Sequence, residues 1–173
     1  MSIKDAMAIY FKRQADAHTA EYNTLPMIPF DREKQTLIYK GQVDEENWIQ
    51  WKPVHAKAIK IDGLCQELNQ FYSTYYYGRI EGLFENIYYD FPGIFNQTNA
   101  ISQAKWALRN GEDLFPHENV AVIAICEIDG KDGLLLVYEQ DTNRLFIWDG
   151  ETNDRNYLKV SLEELILNLT AIP

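Results

Sequence analysis

The chain has 173 residues, 46% of them hydrophobic and 13% aromatic, and its 26 Asp/Glu against 16 Lys/Arg give a net charge of −10. The hydrophobic share excludes a disordered chain, and no apolar run approaches the roughly 20 residues of a membrane span. Residues 1–60 hold nine Lys/Arg against eight Asp/Glu, whereas residues 61–173 hold seven against eighteen. An acidic body of this kind repels nucleic acid and anionic membranes and attracts basic protein segments. An acidic surface kept only for solubility accounts for the same numbers.

In chain order, residues 3–22 predict a helix, with Ile3, Met7, Tyr10, Phe11, Ala15 and His18 on one side at the 3–4 spacing of a buried stripe. Pro26 and Pro29 stop it, since the residue before a proline is steered away from helix. Thr36–Lys40 and Asn47–Trp51 predict two short strands around Gly41 and the acidic turn Asp44–Glu46, the second ended by Pro53. Ile61–Tyr76 predicts a second helix, its apolar face running through Leu64, Cys65, Leu68, Phe71, Tyr72 and Tyr75. Tyr76 and Tyr77 are assigned to the core, with an interface as the other reading. Leu83–Tyr89 predicts one strand after Gly78 and Gly82. Thr98–Arg109 predicts a third helix, with Ile101, Ala104, Lys105 and Leu108 along one side and Asn110-Gly111 closing it.

The last third predicts an antiparallel meander: Val120–Ile128, a turn over Asp129–Gly133, Leu134–Glu139, a turn over Asp141–Asn143, then Arg144–Asp149. Ser161-Leu162-Glu163-Glu164 is a capping box opening a final helix that points Leu162, Leu165, Ile166 and Leu169 inward. The fold class is therefore α+β, a single domain over 1–173 with helices packed on an antiparallel sheet.

Chemical motifs are sparse. There is no nucleophile elbow, zinc-protease helix, phosphate loop or dinucleotide fingerprint, and His18, His55 and His117 lie far apart in sequence. Cys65 and Cys126 lack the spacing of a metal or redox pair and are expected as buried thiols. Asp149–Asp154 resembles a calcium loop, but its glycine comes too early and no bidentate Glu closes it. Glu163 and Glu164 sit where a helix start favours negative charge, and neither they nor Glu112/Asp113 make an acid/base couple. Lys52, Lys57 and Lys60 are too sparse for a nucleic-acid stripe. Met1–Ala8 has no long apolar core after a basic start, so no export signal is expected. The expectation is a cytoplasmic binding protein with no enzyme activity, cofactor or metal.

Three features together resemble the Syd family of SecY-interacting proteins, within the SUKH superfamily. Trp48-Ile49-Gln50-Trp51-Lys52-Pro53 is similar to its Trp-x-Pro segment, and Leu68–Thr74 to its Phe-Tyr-Ser/Thr-Thr run. The third feature is the C-terminal order of helix, Phe-Pro loop, hairpin and Leu/Glu-rich helix, which includes Leu145–Gly150 and Ser161–Leu165. The segments 25–36 and after Gly78 depart from the family pattern. The resemblance implies an α+β fold with an acidic concave surface that binds without chemistry. Its partners would be the basic cytosolic loops of the SecY translocon, which would place the protein at the cytoplasmic face of the inner membrane without insertion. A SUKH-type immunity protein, neutralising a toxin such as a nuclease, is the alternative. Candidate partner contacts are Glu81, Glu85, Asp90, Glu112, Asp113 and Glu118.

Overall fold

Ser2 opens the chain's first helix by accepting the Asp5 N–H while Asp5 reaches back to the Ser2 N–H, so two orphan amides are satisfied at once. In the computed structural model, which describes residues 1–172 and leaves the side chains at 40–42 aside, this helix, α1, spans Ile3–Tyr22. The following elements are β1 (Met27–Pro29), a 3-10 turn (Arg32–Leu37), β2 (Ile38–Val43), β3 (Trp48–Trp51) and β4 (Val54–His55). Then come α2 (Gln66–Ser73), β5 (Tyr75–Tyr76), β6 (Ile80–Phe84), β7 (Ile87–Phe91) and α3 (Gln97–Leu114). The chain finishes with β8 (Val120–Ile128), β9 (Lys131–Glu139), β10 (Arg144–Asp149), β11 (Asp154–Tyr157) and α4 (Leu162–Asn168). The class is α+β.

The main sheet has six strands in the order β11-β10-β9-β8-β7-β6, with every neighbouring pair antiparallel. A small sheet β1-β3-β2 and the ribbon β4-β5 stand apart from it. One connected core joins α1 to α4, from Ile3 through Tyr89 and Leu136 to Leu169. A smaller cluster of Phe115, Val120, Val122, Val137 and Phe146 lies separately from it. Antiparallel partners share a face of the sheet, so the buried Tyr89, Cys126 and Leu134 mark the side covered by the main core. Among the described residues no helix is long and apolar enough to cross a membrane.

Several boundaries differ from the sequence reading, each for a local reason. The first predicted strand begins later and extends through Gly41, because residues 32–37 form a 3-10 turn capped by Asp31. The second helix is confined to Gln66–Ser73. The Asn69 side chain accepts from Ile61 N–H at 2.7 Å and donates to Ile59 O at 2.8 Å, and Gln140 holds Cys65 N–H and Gly63 O. Residues 61–65 are thus held as a loop, with Gly63 at φ 87°. At the other end Tyr75 and Tyr76 leave the helix to pair with His55 and Val54; Tyr77 is fully buried and Tyr76 half-buried.

Leu83–Tyr89 is not one strand. Glu85 and Asn86, at φ 50° and 65°, turn it into the β6–β7 hairpin, the two-positive-φ turn that matches strand twist. The third helix continues through Asn110-Gly111 to Leu114 and buries Ala100, Ala104, Ala107 and Gly111, leaving Lys105 exposed. Cys126 is buried but Cys65 is only half-buried, and both are free thiols. The β8 and β10 strands, the Ser161 capping box and the inward Leu162, Leu165, Ile166 and Leu169 match the reading.

The outer edge of β6 is closed. The Tyr10 hydroxyl donates to Glu81 O at 2.7 Å and accepts from Glu81 N–H at 2.9 Å. Two residues on, Leu83 exchanges backbone hydrogen bonds with Thr170. Tyr10→Phe would strand both Glu81 groups and is expected to lower stability by about 2 kcal/mol. Tyr77 and Tyr89 contrast with it, since their buried hydroxyls have no partner among the described residues. Tyr77→Phe and Tyr89→Phe remove that desolvated oxygen and are expected to be neutral or to gain up to about 1 kcal/mol. Urea unfolding of the three variants checks the contrast, and equal losses at all three positions would refute it.

Candidate functional site

The other face of the main sheet carries the smaller cluster, whose buried members among the described residues come from β8, β9, β10 and Phe115 and from no helix. Strand register lines up one residue from each of six strands across it: Glu81, Asp90, Ile125, Leu135, Trp148 and Arg155. All six are at least partly exposed, and Ile125, in the middle, shows 48% of its surface. Beside this row run Leu83, Tyr88 and Glu127, with Leu83 45% exposed. On the other side Val122, Val137 and Phe146 are buried in the smaller cluster, next to Tyr157.

Electrostatics divide the face. At the β6–β7 end Arg79 lies 3.0 Å from Glu81 and 3.4 Å from Asp90, so two carboxylates share one guanidinium. Tyr88 donates to the Glu81 carboxylate. Burial, and then that bond, push the Tyr88 hydroxyl well above its ordinary range. Glu127 stands exposed beside them with no ion pair among the described residues. This end therefore has an excess of negative charge next to Ile125.

The β10–β11 end is balanced. Arg155 grips Glu118 through two 2.7 Å bonds and lies over the rings of Phe115 and Phe146 at 4.8 and 4.9 Å. The guanidinium hydrogen bond holds the Glu118 carboxyl below the usual carboxylate range. Arg144 lies 4.1 Å over the Tyr157 ring, whose hydroxyl donates to Glu139 at 2.6 Å.

The six sequence-predicted contacts are thus sorted into different places. Glu81 and Asp90 are cross-strand partners at the acidic end of the open face, and Glu118 reaches its far rim through Arg155. Glu85 is at the tip of the β6–β7 hairpin, near the Ile128 end of β8. Glu112 and Asp113 lie in the last turn of α3, whose Gly111 abuts Val120 at the opposite end of β8. Eight strand steps, about 27 Å, separate those two ends. Ile125, Leu135, Trp148, Arg79, Arg155 and Glu127 are additions to the site made by the structure; within the apolar run of β8 only the charged Glu127 marks an outward-facing position in sequence.

Among the described residues, no three His, Cys, Asp or Glu side chains are gathered as a metal ion requires. Asp149 instead pairs with Lys131 at 2.6 Å and accepts the Glu151 N–H. No protein-family model matches the chain, and no curated protein matches it. The resemblance to the Syd family rests on the motifs named above.

Proposed function

We propose that this chain is a non-enzymatic binding protein whose open sheet face receives a Lys/Arg-bearing segment of another protein. The single observation carrying this reading is the six-strand row, in which an exposed apolar centre stands beside an acidic end held on the scaffold of β6, β7 and β8. Apolar centres with polar rims are where binding energy concentrates, and the charged rim adds association rate and specificity. In this reading a partner cation approaches Asp90 and Glu127 while an apolar side chain covers Ile125 and Leu135.

The Syd resemblance supplies the first partner to test, the basic cytosolic loops of the SecY translocon. Contact with them would bring the protein to the inner membrane without insertion. A SUKH-type immunity protein would turn the same face toward a soluble toxin. Tagged protein incubated at low salt with membrane and soluble extracts of its host, then eluted by rising salt, separates these. Recovery of SecY supports the adaptor, and recovery of a toxin in its place supports the immunity reading. Recovery of neither, or of partners that salt does not release, argues against a basic partner.

A further inference from the structure

A second site lies between α1 and the β3–β4 segment and shares no residue with the open-face row. It is a groove of about 330 Å³ whose walls include Phe11, Pro26, Trp51, Pro53 and Tyr75. The rings are fixed by packing. Phe11 meets Trp51 edge-on at 6.2 Å and Tyr75 at 5.4 Å, and Trp51 is 2% exposed. That volume is at the small-molecule end of ligand pockets, which are characteristically apolar with a few orienting polar groups.

The charged groups lining the groove are of one sign. In a protein with 26 Asp/Glu, no Asp or Glu lines it, whereas Lys12, Lys52 and His55 do. Gln14, its fourth polar side chain, is engaged with Arg79 O at 3.2 Å. Lys12 shares its charge with Asp16 at 2.6 Å. Lys52 lies 4.2 Å over the Tyr39 ring, and His55 is stacked 4.8 Å from Tyr75. All three side chains are exposed at the rim. We infer that the groove binds a small amphiphile with one ring-bearing apolar body and one anionic group, such as an aromatic carboxylate. The ring would lie against Phe11, Trp51 and Tyr75 and the anion would face Lys52 and His55. A neutral ligand of the same shape gains less from that rim than an anion does, and a cationic one less still.

The test uses 8-anilinonaphthalene-1-sulfonate, an aromatic monoanion, and its uncharged counterpart N-phenyl-1-naphthylamine, each titrated by fluorescence. The wild type is expected to bind the sulfonate saturably at one site. Lys12→Glu/Lys52→Glu, which changes two exposed side chains, is expected to weaken the sulfonate about tenfold and the neutral amine less than about twofold. Ala15→Phe, which fills the groove from the half-buried side of α1, is expected to weaken both. Circular dichroism confirms that each variant is folded, and Lys52→Gln replaces the double variant if it is not. Absence of saturable binding, sulfonate affinity unmoved by the rim variants, or affinity of both probes unmoved by Ala15→Phe overturns the inference. Capture of a basic partner by the sheet face is expected to survive the rim variants.

Discussion

Gly111→Ala is expected to cost about 3 kcal/mol, although an alanine for glycine inside a helix normally stabilises by about 1 kcal/mol. The reversal comes from where α3 meets the sheet. A Cβ at position 111 would stand 2.1 Å from Val120 O, 2.8 Å from its carbonyl carbon and 3.3 Å from the Ala121 Cα. These are backbone atoms of β8, held there by pairing with β9, so no side chain can swing away to make room. Either α3 lifts from the sheet, loosening Ala100, Ala104 and Ala107, or β8 is displaced from β9. A urea midpoint read by circular dichroism measures it. An alanine variant as stable as the wild type would mean that α3 does not approach β8 this closely.

Ile125→Arg is expected to weaken partner capture by about a hundredfold, the scale of losing a central interface anchor, while stability falls by no more than about 1 kcal/mol. The residue is 48% exposed and lies outside the main core, so little packing is lost. The new cation would sit beside Asp90, where the proposed partner's own cation would otherwise approach. Asp90→Lys is expected to act in the same direction by about tenfold. Glu85→Lys and Glu112→Lys, at the two distant ends of β8, are expected to leave capture unchanged. Salt-dependent capture read for all four variants checks the pattern. Loss on changing Glu85 or Glu112, with Ile125→Arg silent, would move the site away from the sheet.

How far the sequence was legible follows from the range of the interactions. Val120–Ile128 and Arg144–Asp149 were readable because their punctuation is local, an Asp-Gly turn and an Asp-Thr-Asn turn. The last helix was readable because Ser161 and Glu164 close their capping box within one turn. The limits of α2 were not, since Asn69 and Gln140 hold its leading loop through contacts up to 77 residues away. Gly111 was read as a helix stop because its neighbour across the gap, Val120, lies in another element. The strand β11 carries no apolar alternation in Asp154-Arg155-Asn156-Tyr157, so nothing in its sequence marks it as a strand. The candidate site needed all of this: residues 81, 90, 125, 135, 148 and 155 share a row only once six strands are in register.

The two rims of the main sheet differ in their capacity to add another strand. On β6 the outward groups of residues 81 and 83 are already taken by the Tyr10 hydroxyl and Thr170, whereas β11 has a neighbour on one side only. In polymer chemistry a monomer with a single reactive end cannot propagate a chain. Two copies joined through their β11 strands would consume both reactive ends, so growth through this sheet stops at a pair and does not continue into a fibre.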